Sequence, residues 1–169
     1  MAQVPDQHRR EAPQVVRCVV ITVSDTRTRE TDTGGQTIVD LLTGAGHEIL
    51  DRHLVPDEPG PMRELLTILR DRGDVDAILM TGGTGLGSRD QTVETVTGLL
   101  DKPLPGYGEL FRMLSYDEIG AAAMLSRAVG GLIGRIVLLT MPGSRAAVRL
   151  AMEKLILPEL GHLVREARR

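Results

Sequence analysis

Aromatic side chains are nearly missing from this 169-residue chain, which has one Phe, two Tyr and no Trp. Its core must therefore be aliphatic, and 41% hydrophobic residues suffice to fill one. Cysteine is equally scarce. Cys18 stands alone, which excludes a disulfide within the chain, and its place in the apolar run Val15–Val23 predicts a buried, reduced thiol. No apolar run approaches the roughly 18 residues of a membrane-spanning helix, so no membrane partner is expected. Basic residues are not in surplus either: the formal net charge is -3, without the positive excess on which binding to a phosphate backbone rests, so no nucleic acid is expected. The stretch from Met1 to Pro13 is polar and has no apolar segment of the secretory kind. It reads as a disordered tail over 1–13, ahead of one domain over 14–169 in a cytoplasmic protein.

What is present alternates between two patterns. Val15 to Val23 is β-branched and almost continuous, as in a strand buried on both faces of a parallel sheet. Ile38, Leu41, Leu42 and Ala45 then fall at i, i+3, i+4 and i+7, one face of a helix that Gly44 and Gly46 stop. His47 to Val55 predicts a more polar strand towards an edge, and Met62, Leu65, Leu66 and Leu69 a second helix with Pro61 in its first turn. Ala77 to Met80 predicts a third strand, and Val93, Val96 and Leu100 the helix behind it. Pro103 to Gly106 predicts a break, followed by short helices over Glu109–Ser115 and Glu118–Arg127. Gly130, Gly131 and Gly134 then predict a turn into the strand Ile136 to Thr140. A long helix from Ser144, kinked at Pro158, closes the chain. This order predicts an α/β fold: a three-layer αβα sandwich around a mostly parallel sheet.

Four strands hand over to polar or glycine-rich turns: Ser24-Asp25, Pro56-Asp57, Thr81 to Gly87, and Met141 to Ser144. In open α/β sheets ligands bind beyond the carboxyl ends of the strands, so these turns are expected on one rim around one cleft. The strongest of them is Thr81-Gly82-Gly83-Thr84-Gly85-Leu86-Gly87-Ser88-Arg89-Asp90, whose glycines let backbone N–H groups approach a bound oxyanion. It is no P-loop, because Ser88 and Arg89 follow Gly87 where Lys is required. Nor is it a dinucleotide fingerprint, because Ser88 stands where the third glycine is needed. Asp90 reads equally as a helix cap or as a functional carboxylate. Asp57, held among prolines, pairs with it as the hard-oxygen donor set of a Mg²⁺–nucleotide site. The histidines His8, His47, His53 and His162 have no metal-ligand spacing and read as surface or edge residues.

Taken in order, Ser24-Asp25-Thr26-Arg27, Asp32-Thr33-Gly34-Gly35, Val55-Pro56-Asp57, the glycine loop with Arg89-Asp90, Pro105-Gly106-Tyr107-Gly108-Glu109, Met124-Leu125-Ser126-Arg127 and Met141-Pro142-Gly143-Ser144 resemble the MoaB/MogA molybdopterin-binding family, closer to its MoaB branch. The resemblance implies a homotrimer or dimer of trimers, with other molybdenum cofactor biosynthesis proteins as further partners. It also implies adenylylation of molybdopterin by MgATP with release of pyrophosphate. Asp57 and Asp90 would be the essential carboxylates, acting through Mg²⁺. Ser24, Asp25, Gly82, Gly83, Thr84, Gly85, Arg89, Glu109, Ser126, Arg127, Pro142, Gly143 and Ser144 would line the substrate and nucleotide site. Two positions depart from the pattern: Val93 stands where Pro is common, and Arg145 follows the Pro-Gly-Ser turn and adds a cation near the cleft. The branch also includes proteins without transfer activity, so a catalytically silent molybdopterin binder or carrier is the alternative. A pyrophosphatase of the competence-damage family is disfavoured by the Pro105–Glu109 and Met124–Arg127 motifs.

Overall fold

The computed structural model describes residues 12–169, so the stretch read as a tail, with His8, lies outside the described residues up to position 11. Ala12 and Pro13 pack against Gly161, where any side chain would collide with the Pro13 carbonyl. Six strands form one sheet: β1 Arg17–Val23, β2 Glu48–Val55, β3 Ala77–Thr81, β4 Lys102–Pro103, β5 Gly130–Ile133 and β6 Ile136–Met141. Their order is β2-β1-β3-β6-β5-β4. The strands β2, β1, β3 and β6 are mutually parallel, and β5 alone runs the other way. The four strands read from the sequence are thus found, with the polar β2 at an edge.

Side chains alternate between the two faces of these strands, and both faces are apolar because both are covered. Cys18, Val20, Leu79 and Leu139 face helices α1 (Thr33–Gly44), α4 (Pro105–Ile119), α5 (Arg145–Ala151) and α6 (Leu157–Arg168). Val19, Ile21, Met80 and Leu138 face α2 (Pro59–Asp71) and α3 (Thr92–Thr97). The result is the expected three-layer sandwich with an aliphatic core around Phe111. Burial pushes the Cys18 thiol up to about 12, so it stays an unreactive core group. Among the described residues no helix is long and apolar enough to cross a membrane.

The middle of the chain corrects the sequence reading. The two short helices expected over Glu109–Ser115 and Glu118–Arg127 are one helix, α4, followed by a 3₁₀ turn over Gly120–Leu125. Pro105 starts α4 rather than breaking it, since a proline in the first turn gives up no helical hydrogen bond. Gly130 and Gly131 are not a turn but the start of β5. A methyl group at Gly131 would lie 2.2 Å from the Lys102 carbonyl, so only glycine lets β4 pair there. The reversal is made at Gly134, with φ +58°, between Ile133 and Ile136. Near the C-terminus the bend precedes Pro158: Met152–Ile156 form a π turn, in which the Leu157 N–H reaches back to the Met152 carbonyl. Pro158 has no N–H to donate and its ring crowds the preceding turn, and the wider turn accommodates both.

Asp76 ties the two ends of the domain together. It is 5% exposed, takes the Arg17 N–H at 3.0 Å and the Arg17 guanidinium at 2.9 and 3.1 Å, and pairs with Arg168 near the end of α6. Burial alone would raise its carboxyl, but these donors together outweigh burial and the net shift is downward. A lowered folded value means stability that is complete above the unfolded carboxyl range, near 3.9, and is lost as pH falls through the folded value. Asp76→Asn is therefore expected to cost about 2 kcal/mol at neutral pH, less than a fully buried pair because both arginines are more than a third exposed. The melting temperature should fall by roughly 4–8 °C. An unchanged melting curve at pH 7 would remove Asp76 from the account of stability.

Candidate active site

The parallel strands bring the turns after β1, β2, β3 and β6 to one rim. Thr81 at the end of β3 donates to the Pro142 carbonyl, and the Gly82 N–H donates to the Met141 carbonyl, so the turns after β3 and β6 touch. Gly82 and Gly83 take φ values of +96° and +63°, which turns the loop sharply over the strand ends. The N–H groups of Gly83, Thr84 and Gly85 find no acceptor among the described residues. Their carbonyls are occupied instead. Arg127 donates to Thr84 O at 3.0 Å and to Gly85 O, and its guanidinium also pairs with Glu94 at 2.5 Å. Arg127 therefore fixes the loop through its carbonyls and leaves the N–H groups for an anion.

Three aspartates are joined to this loop. The Asp57 carboxylate accepts the Gln91 N–H at 2.9 Å, at the start of α3. Its own N–H goes to Asp25 Oδ1 at 3.0 Å. Asp25 Oδ2 holds Arg89 by Nε at 3.1 Å and Nη2 at 2.9 Å. Asp90 does not cap α3: Gln91 is the N-cap residue, and the Asp90 carboxylate folds back to take the Gly87 N–H at 2.9 Å. Of the two roles open to Asp90 in the sequence, the capping role thus passes to Asp57. Built methyl groups at Gly83 and Gly85 would fall 2.6 Å from Asp57 Oδ2 and 2.7 Å from Asp90 Oδ2, so the glycines let both carboxylates close on the loop. Burial raises the Asp57 carboxyl, the nearby Asp90 and Asp25 charges add to the rise, and the Gln91 N–H and Arg89 oppose it. The Asp57 N–H and then the Arg89 guanidinium hold Asp25 low.

A cleft of about 440 Å³ opens beside the loop. Gly82, Gly83, Thr84, Gly85, Asp90, Ser126, Pro142, Gly143 and Ser144, all singled out in the sequence, line it together. Ser24 lines a neighbouring compartment of about 270 Å³ that shares Gly82, Gly143 and Ser144 with it. Asp57, Asp25, Arg89 and Arg127 line neither; they brace the loop through the contacts above. Glu109 is elsewhere, in a separate cleft with Arg112 and Pro103. Arg145 is exposed at the start of α5 and lines neither compartment, so the added cation does not reach the main cleft. Among the described residues no Lys, Arg or His lines that cleft, whose charged residues are Asp90 and Glu118, while Arg27 lines the neighbouring compartment. Ser115, Glu118, Ile119 and Ala122, which the sequence reading does not single out, complete one wall with Leu125 of the Met124–Arg127 motif. The signal was there: Ser115, Glu118 and Ile119 fall at i, i+3 and i+4 once α4 is read as a single helix.

A glycine loop at a strand end with unpaired N–H groups, on which the Asp57 and Asp90 carboxylates close, is an arrangement with the chemistry to hold an oxyanion on a parallel α/β sheet. Residues 19–162 match the family described as probable molybdopterin binding domain. The molybdenum cofactor biosynthesis protein B of Bacillus cereus is 52% identical over 164 residues, which are 96% of this chain and 97% of that one. A crystal structure of a molybdenum cofactor biosynthesis protein B superposes with a TM-score of 0.90 at 53% identity, covering 94% and 99% of the two chains. The tungsten cofactor synthesizing protein MoaB of Pyrococcus furiosus gives 0.81 at 35% identity, covering 94% and 100%. The chain belongs to the molybdopterin-binding family of MoaB and MogA, among the molybdenum cofactor biosynthesis proteins.

Proposed function

We propose that this protein acts late in molybdenum cofactor assembly in the cytoplasm, binding molybdopterin and adenylylating it with MgATP. In the reaction an oxygen of the terminal phosphate of molybdopterin bonds to the α-phosphorus of ATP. The bond from that phosphorus to the β-phosphate oxygen breaks, and pyrophosphate leaves. Such a transfer needs alignment and charge neutralisation more than covalent help.

One observation carries the proposal: among the described residues Asp57 and Asp90 each use one oxygen on the protein and keep the other without a hydrogen-bond donor, with Asp57 against Gly83 and Asp90 against Gly85 of the loop. Among the described residues no cation lines the main cleft, so a metal would help to offset the charge of a polyphosphate there. The two free carboxylate oxygens suit Mg²⁺, which commonly takes one or two carboxylates and completes its shell with phosphate and water. Among the described residues no three His, Cys, Asp or Glu gather as a cage, and this mode of binding needs none. When bound, Mg²⁺ would neutralise charge on the phosphates. Ser24 and Ser144 accept backbone N–H groups at their own turns and keep their hydroxyl protons for phosphate oxygens.

The test is to mix purified protein with molybdopterin and MgATP and follow pyrophosphate. Release well above the protein-free rate is expected. Tight molybdopterin binding with no pyrophosphate would replace the transferase with a silent carrier.

We also propose a homotrimer or dimer of trimers. Leu110, Met113, Tyr116 and Ile119 leave a row of exposed large apolar side chains on α4, more than a soluble helix face ordinarily shows to water. Analytical ultracentrifugation should give a trimer or hexamer at micromolar concentration. A monomer there would overturn the assembly.

A further inference from the structure

The wall of the main cleft supplied by α4 and the 3₁₀ turn is built from Ile119, Ala122 and Leu125, with Ala146 and Ala147 contributed by α5. Small, flat aliphatic surfaces of this kind suit a planar ring. One charged group stands among them. Glu118 lines the cleft, and its carboxylate has no hydrogen-bond or ion-pair partner among the described residues. The other carboxylate of the cleft, Asp90, is tied to the Gly87 N–H beside the glycine loop. The cleft therefore has two chemically different ends. One offers backbone N–H groups and Asp90, and the other offers apolar surface and a free carboxylate.

A carboxylate presents two acceptors side by side and no donor. Its complement on a planar heterocycle is an edge with two adjacent N–H donors, and such paired charge-assisted bonds are the stronger kind. The aminopyrimidinone edge of a pterin has that pair, in its ring N–H and its exocyclic amino group. Adenine does not: its amino group is flanked by ring nitrogens that accept, so one carboxylate oxygen would face a lone pair. We infer that Glu118 reads the aminopyrimidinone edge of the bound ring and so decides which ring enters the apolar end of the cleft. This rests on the proposed function for the identity of the ring. Guanine carries the same donor pair, so the shared chemistry is the edge.

The test uses the full chain with pterin, lumazine and GMP, followed by fluorescence for the first two over a protein without Trp and by calorimetry for the third. Lumazine has a carbonyl where pterin has its amino group, so it turns an acceptor towards Glu118. Wild type is expected to bind pterin about tenfold or more tighter than lumazine, the scale on which a site built for a donor rejects its replacement. Glu118→Gln sets an acceptor beside a donor, the complement of the lumazine edge, and is expected to reverse the preference. Glu118 is on the surface, so the melting temperature of Glu118→Gln should match wild type. A Gln variant that keeps the wild-type preference overturns the assignment of Glu118 and leaves adenylyl transfer standing. GMP bound in place of pterin, and lost in Glu118→Gln, supports the edge reading and removes pterin as the ligand. Wild type binding none of the three overturns both.

Discussion

Asp57→Asn and Asp90→Asn should each lower adenylyl transfer by roughly a hundredfold or more, the usual cost of losing one well-placed electrostatic contact. Each change keeps the shape of the side chain and its acceptor oxygen, so the bonds from the Gln91 N–H and the Gly87 N–H survive. What is lost is the negative charge that a metal requires. Pterin binding should stay near the wild-type level in both, since the ring lies away from these carboxylates in the proposed arrangement. The two variants differ in stability. The Asp57 carboxyl is raised in the folded protein, so the folded state holds its proton more readily than the unfolded chain. Its contribution is therefore most favourable below the unfolded carboxyl value and is lost as pH rises through the folded one. At neutral pH the ionised, buried Asp57 costs stability, and Asp57→Asn should melt on the order of 2 °C higher. Added Mg²⁺ should raise the melting temperature of wild type more than that of the Asn variant. Full activity in both variants would sink the catalytic assignment, and a lower melting temperature for Asp57→Asn would sink the electrostatic one.

Gly82→Ala should be the most damaging single change on the rim. The new methyl group would lie 2.2 Å from the Val23 carbonyl oxygen, at a residue with φ +96°. Neither side has room to give. Val23 ends β1, which is paired on both sides by β2 and β3, and the Gly82 N–H is bonded to the Met141 carbonyl. A loss of about 3 kcal/mol is expected, or roughly 6–12 °C in melting temperature. Gly46→Ala separates strain from collision. Gly46 has φ +84° with nothing within 4 Å of a built methyl group, so only the backbone penalty of about 1–2 kcal/mol applies. Equal losses in the two variants would show that the contact with Val23 is not tight.

The legible parts of this fold are those where side chains repeat a pattern. β1, β3 and β6 are buried on both faces, so each reads as an unbroken aliphatic run. The glycine loop reads as an anion cradle because glycines beside a strand end let backbone N–H groups approach an oxyanion, and the structure gives the same glycines a second reason in the room they leave for Val23, Asp57 and Asp90. β5 was invisible because a strand that begins with two glycines shows no alternation to read, and its glycines answer to Lys102 and Leu139, neither of them a sequence neighbour. Its reversal is also why Ser126 and Arg127 reach the loop although they precede a strand instead of following one. Arg127 was expected among the ligand contacts; it is spent on Thr84, Gly85 and Glu94, which no local pattern announces. The division of labour between Asp57 and Asp90 was equally hidden. It depends on which carboxylate meets the Gln91 N–H, a contact that spans 34 residues.

The wide turn over Met152–Ile156 constrains how this chain can change over generations. A π turn holds one residue more than the α-helical turn it replaces, so a one-residue deletion within it can be absorbed by closing it to an ordinary turn, at the cost of crowding at Pro158. In the regular helix beyond, each residue turns the chain by about 100°, so a deletion there would swing Val164 off the sheet and take Arg168 from Asp76. The stretch ahead of Pro158 is thus more tolerant of losing a residue over generations than the helix that follows it.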